Sequence, residues 1–218
     1  MTLILRKATL LMMCLALLSV PVMAVAKESQ GNGQQQQECI KPKEVKLQGD
    51  MRKLWIDPIL WTRSYLVSAL AGLEDKDKVL ARLLKKQTDI GNAIKPYYGE
   101  EAGNKLGKLL TEHIVLAGKI IDAAKNGDQA SVAKLNKDWF RNADDIAKLL
   151  SSANPNWTEK ELKDLLYKHL ELLTGNLQAR LKKDWEADIV TFDRGEEHII
   201  SLADVLTAGI IKQFPNQF

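Results

Sequence analysis

Two of the three histidines in this sequence stand where imidazole chemistry could be done inside a protein. His113 lies in "LGKLLTEHIVLAGKI" (106–120) and His169 in "LKDLLYKHLELLTGN" (162–176). At helical spacing His113 shares a face with Leu106, Leu109, Leu110, Ala117 and Ile120, and His169 with Leu162, Leu165, Leu166, Leu172 and Leu173. Both rings are therefore expected to point inward. Two inward imidazoles on neighbouring helices can hold a divalent transition metal such as zinc, copper or iron, provided carboxylates complete the shell. Asp145, at the edge of an apolar stripe, and Asp204, between Ile200 and Ala208, are the carboxylates best placed to do so. The candidate ligand set is thus His113, His169, Asp145 and Asp204. The competing account is that these are structural histidine and aspartate pairs hydrogen-bonded inside a core.

Several specific chemistries are excluded by spacing. A ferritin-like diiron centre needs a glutamate three residues before each histidine. Those positions hold Leu110, Leu166 and Gly195. No zincin motif, haem-attachment cysteine pair or glycine-rich phosphate loop is present. Arg63 in "WTR" could grip an anionic ligand, although an arginine with a buried stem and a wet head is more ordinary. The tryptophans, with Trp185 among them, mostly fall at core-facing spacings.

The spacing of these residues carries a second message. His113 and His169 are 56 positions apart, and so are Asp89 and Asp145, so each aspartate precedes its histidine by 24. The central helices therefore read as two copies of one helical hairpin. Extending the register backwards sets Pro58 where a third histidine would fall, and extending it forwards makes "LADVLTAGI", with Asp204, a third aspartate segment.

The elements that must position these side chains are helical almost throughout. Apolar residues recur at spacings of three and four from about residue 50, which predicts six helices at roughly 50–73, 77–95, 100–125, 129–152, 159–193 and 196–213. Pro96 with Gly99, "NGD" at 126–128, the capping-box pair Thr158 and Glu161, and "DRG" at 193–195 supply the boundaries, while Thr174 and Gly175 mark a possible bend. Short connections favour antiparallel neighbours. The expected fold is all-α: an up-and-down antiparallel bundle of about six helices, built from degenerate helical-hairpin repeats.

The N-terminus sets the expected destination. Arg6 and Lys7 precede the apolar run "ATLLMMCLALLSVPVMA", and Ala24 and Ala26 offer a small-residue cleavage site, the pattern of a secretory signal peptide over residues 1–26. A polar Gly/Gln-rich tether follows over 27–48, and a single domain over 49–218. The protein is accordingly expected outside the cytoplasm, in a periplasm, a cell wall or the medium, with no integral membrane segment once the signal is removed. Loss of Arg6 and Lys7 leaves 29 basic against 28 acidic residues, and no basic patch interleaved with aromatics, so nucleic acid is not an expected partner. Cys39 would be the sole mature cysteine, so the fold must rest on its core and not on disulfides.

"LWIDPILWTRSYLVSALAGL", "QTDIGNAIKPYYGEEAGNKL", "RNADDIAKLLSSANPNW" and "LADVLTAGIIKQFP" together resemble the signatures of a widespread, uncharacterised family of small bacterial all-helical proteins. The resemblance spans about residues 48 to 218. It implies a small helical domain, and a histidine in the family pattern where this chain has Pro58. The labels glycosyltransferase and acetylglutamate kinase, attached to some members, find no motif here.

Three classes of function stay open at this stage. The first is an exported bundle that binds a metal or small ligand through His113 and His169; the second is a structural or partner-binding envelope protein. The third is an enzyme working by histidine and carboxylate acid–base chemistry, which ranks last because no nucleophile with a positioned base can be named.

Overall fold

A computed structural model describes residues 41–218; the signal-like segment, Cys39 and the greater part of the tether lie outside these residues. The described chain forms α1 (Pro42–Ala71), α2 (Lys76–Lys125), α3 (Gln129–Ala153), α4 (Glu159–Leu181) and α5 (Trp185–Gln213), followed by a short 3-10 turn at Pro215–Gln217. No strand occurs among the described residues, and none of their helices is long and apolar enough to cross a membrane.

Local chemistry sets the helix ends. Proline opens α1, where a missing N–H costs nothing, and Gly72 in the left-handed region (φ 70°) closes it. Asp128, Thr158 and Asp184 cap α3, α4 and α5 by accepting from the backbone N–H of Ser131, Glu161 and Ala187. The helix α1 begins about eight residues earlier than apolar periodicity indicates, because its first two turns are solvent-facing and joined by the Lys41–Glu44 and Lys46–Asp50 pairs.

One predicted boundary behaves differently in the structure. "DRG" at 193–195 lies inside α5, and the chain turns instead at Lys182–Asp184, where Lys183 adopts a positive φ of 60° and Asp184 starts the next helix. Pro96 and Gly99 do not open a loop. Gly99 (φ 81°, ψ 171°) is non-helical and divides α2 into two helical arms, so the expected break between the second and third helices falls inside this element.

The two arms of α2 run antiparallel in close contact through glycines. A Cβ on Gly91 would stand 2.5 Å from the Gly103 carbonyl oxygen and 3.0 Å from the Gly107 Cα. Backbone cannot yield as a side-chain tip does. Gly91→Ala is expected to cost about 1–3 kcal/mol despite the better helix propensity of alanine. Gly49→Ala, with open space around it in α1, is expected to be neutral or stabilising by up to about 1 kcal/mol. Urea unfolding of both variants checks the contrast.

Each helix packs on the next, and α5 returns to pack on α1, which closes the bundle. One continuous apolar cluster fills the interior, with Leu83, Ile90, Leu106, Ile146, Leu162, Leu170, Leu202 and Ile210 fully enclosed. Trp55, Trp139 and Trp157 belong to this core, whereas Trp185 is exposed at the start of α5.

Candidate functional site

The apolar stripes that predict inward histidines do bring them together. His113, on the second arm of α2, and His169, on α4, are both buried, and their rings stack with centroids 6.0 Å apart and planes 23° apart. Trp139 of α3 packs on His113 at 5.2 Å and donates its indole N–H to the His113 carbonyl.

Asn142 of α3 decides the chemistry of His113. Its amide nitrogen donates to the Leu109 carbonyl at 3.0 Å, which leaves its Oδ1 as an acceptor facing His113 Nδ1 at 2.9 Å. The proton in that bond must belong to the imidazole. His113 is therefore the Nδ1–H tautomer, and its Nε2 carries a bare lone pair. Burial pushes the His113 pKa down to about 4, only partly opposed by the Asn142 bond. His169 is pushed down to about 3, by burial first and then by the positive charge that His113 and His198 could carry. Both rings are neutral at pH 7.

The carboxylates lie elsewhere. Asp145 is on the outer face of α3, 3.3 Å from Arg141 one turn away. Asp204 ties α5 to α1, accepting from Arg52 Nε at 2.7 Å and Nη2 at 2.6 Å and from Gln48 at 3.2 Å. Asp89 sits at the rim near Lys86. Among the described residues no group of three His, Cys, Asp or Glu side chains converges as a metal site would require. Of the four predicted ligands, the structure unites the two histidines and leaves Asp145 and Asp204 apart from them.

Arg63 does grip an anion, but one supplied by the protein. It forms a two-pronged pair with the fully buried Asp188 of α5, whose second oxygen also accepts from Arg180 of α4 at 2.7 Å. Asn176 donates to the same carboxylate and to the Asp188 carbonyl. Burial raises the Asp188 pKa, but the bonds and charges of Arg63 and Arg180 outweigh it and hold the carboxyl below its usual range.

An interior cavity of about 50 Å³ lies against the histidine pair. His113, His169, Pro58, Thr62, Gln87 and Trp55 are its informative walls; the remainder is aliphatic. Gln87 donates its amide to the Leu83 carbonyl at 3.1 Å. Trp55 is buried and its indole Nε1–H has no partner among the described residues. A second cavity of about 30 Å³ shares Thr62, Ala117 and Leu173 with the first and is otherwise mainly apolar. A third, of about 20 Å³, shares Ile59, His169 and Leu173 with the first, and Leu172 and Thr191 with an open groove between α4 and α5.

Asn142, Trp55 and Gln87 were not singled out by sequence reasoning. Asn142 had a readable signal, being a polar residue at core spacing between Trp139 and Ile146. For Trp55 none existed, since a tryptophan on an apolar stripe looks the same with its N–H paired or unpaired.

Fold and interior together define an all-helical bundle with a small enclosed cavity walled by a neutral histidine pair. No family model, curated protein or solved structure matches the chain, so its function is argued from this interior.

Proposed function

We propose that this is an exported binding protein that takes a small uncharged guest into the cavity beside His113 and His169. One observation carries the reading: Asn142 fixes His113 as a neutral imidazole with a free Nε2 lone pair on an otherwise largely apolar enclosure. The signal-like segment at residues 1–26 supports the exported destination.

The same geometry favours an uncharged guest over a divalent metal. Zinc or copper would bring two positive charges into a site whose nearest partners are two neutral rings, with Asp145 and Asp204 committed to arginines elsewhere. An uncompensated buried charge is far costlier than a neutral polar group. Pro58 lines the cavity with both histidines, which supports descent from repeated hairpins whose equivalent positions face one centre.

Native mass spectrometry of the purified protein, with imidazole ¹⁵N spectra during zinc and small-molecule titrations, tests the proposal. The expected result is a bound organic mass or an added neutral molecule that shifts the His113 and His169 signals, while zinc leaves them in place. Stoichiometric zinc or copper lost in His113→Ala and His169→Ala would overturn it in favour of the metal site. Imidazole signals unmoved by every probe would overturn it in favour of a purely structural core.

A further inference from the structure

We infer that the exposed face at the turn between α4 and α5 joins two copies of this chain. Four of the nine large apolar side chains exposed among the described residues fall within ten positions: Leu181 (41% exposed), Trp185 (53%), Ile189 (55%) and Val190 (43%). Leu181 ends α4, Trp185 and Ile189 stand one turn apart on α5, and Val190 follows Ile189. Arg180 lies over the Trp185 ring at 5.4 Å, which anchors the indole while leaving it half exposed. The other side of α5 is taken at this level, since Asp188 is buried against Arg63 and Arg180. These four side chains are therefore left over once the bundle has closed. They wall no part of the cavity beside the histidines, so the face stands or falls apart from guest binding.

The charges around the four say what covers them. Lys182, Lys183 and Arg194 are exposed beside Asp184, Glu186 and Asp193, three of each sign. Lys46 pairs with Asp50 and Lys160 with Asp164 one turn away, but none of these six is in an ion pair among the described residues. A face whose charges balance and lack ion-pair partners of their own complements itself, whereas a partner of one sign would meet as much repulsion as attraction. It has no net positive charge to draw it to an anionic lipid surface. The area agrees with a second copy. The four residues expose about 400 Å² of mainly apolar surface, about half of the roughly 800 Å² that each partner buries in a standard interface, and charged side chains supply the rim of such interfaces.

Sedimentation equilibrium of the purified protein tests this, alongside the double variant Ile189→Lys with Val190→Lys and a control, Val45→Lys. All three substitutions change side chains that are already exposed, and unchanged urea midpoints establish that the variants fold. Val45 is 53% exposed at the start of α1, the end of the bundle where Lys43 meets Gln217. The unmodified protein and Val45→Lys are expected to form dimers that dissociate in the micromolar range, and the double variant to dimerise about a hundredfold more weakly. Undiminished dimer affinity in the folded double variant overturns the inference, as does an equal loss in Val45→Lys. An unmodified protein that stays monomeric up to the millimolar range overturns it with no variant needed. Cosedimentation of that monomer with phosphatidylglycerol vesicles, lost in the double variant, would assign the face to a lipid surface instead. Each of these failures leaves guest capture beside His113 and His169 standing.

Discussion

Acidification from pH 7 to pH 5 is expected to lower the unfolding free energy by roughly 3–4 kcal/mol, and the histidine pair is the cause. In the unfolded chain both imidazoles titrate near 6.5, whereas in the bundle they do so near 4 for His113 and near 3 for His169. Between those limits the unfolded state binds protons that the folded state refuses. Stability is therefore fully present above the unfolded value and falls as pH drops below it, by up to about 1.4 kcal/mol per pH unit for each ring. The paired carboxylates do not confuse this window. Asp57, Asp188 and Asp204 are held below their ordinary 3.8, so the stability they contribute persists above that value and is lost only as pH falls beneath it. Urea denaturation at the two pH values measures the loss. His169→Leu removes one titrating ring that has no hydrogen bond to sacrifice, and should reduce the loss by about half. An unchanged pH dependence in that variant would sink the assignment.

Asp188→Ala is expected to cost about 3–5 kcal/mol, more than removal of an exposed charge such as Asp145. The carboxylate is 2% exposed and joins three helices, accepting from Arg63 of α1 and from Arg180 and Asn176 of α4. The intact cluster need not be strongly stabilising, since burying ions has its own desolvation penalty. Its removal is another matter: two guanidinium groups would be left facing each other, partly buried, without an anion. Arg180 Nε already lacks a partner, so the cluster has no spare acceptor to share. Arg63 and Arg180 also lie over the rings of Phe192 and Trp185, which soften the loss without replacing the charge. Asp188→Asn keeps the shape and should fall between. Asp145→Ala, which breaks an exposed one-turn pair with Arg141, should change stability by less than about 1 kcal/mol. Chemical denaturation of the three variants orders them, and an Asp188→Ala cost below that of Asp145→Ala would refute the account.

The helices themselves were legible because their causes are local. Thr158 with Glu161 announced the start of α4, and the stripe around His113 announced its inward face, since both depend on residues within a turn or two of each other. The turn at Lys182–Asp184 was missed because no glycine or proline marks it: Lys183 takes the positive φ of 60°, and Asp184, which caps α5, was its one local signal. The break at Gly99, by contrast, was legible from Pro96 and Gly99 themselves. Glycine and proline say that the chain can turn, but the close approach of Gly91 to Gly103 and Gly107 across the two arms was decided by packing.

The chain's amino-acid order by itself determined the all-helical class, the inward placement of His113 and His169, and the absence of the familiar metal and nucleotide motifs, because periodicity and spacing are properties of neighbours. Only tertiary structure decided what the histidines meet. Asp145 turned outward to Arg141 and Asp204 to Arg52, Asp188 drew Arg63 into the core, and Asn142 from another helix set the tautomer of His113. Pairing of polar groups depends on which helix faces oppose each other across long stretches of sequence. A stripe says only that a side chain goes inside, and its partners there are chosen by the packing of the whole bundle.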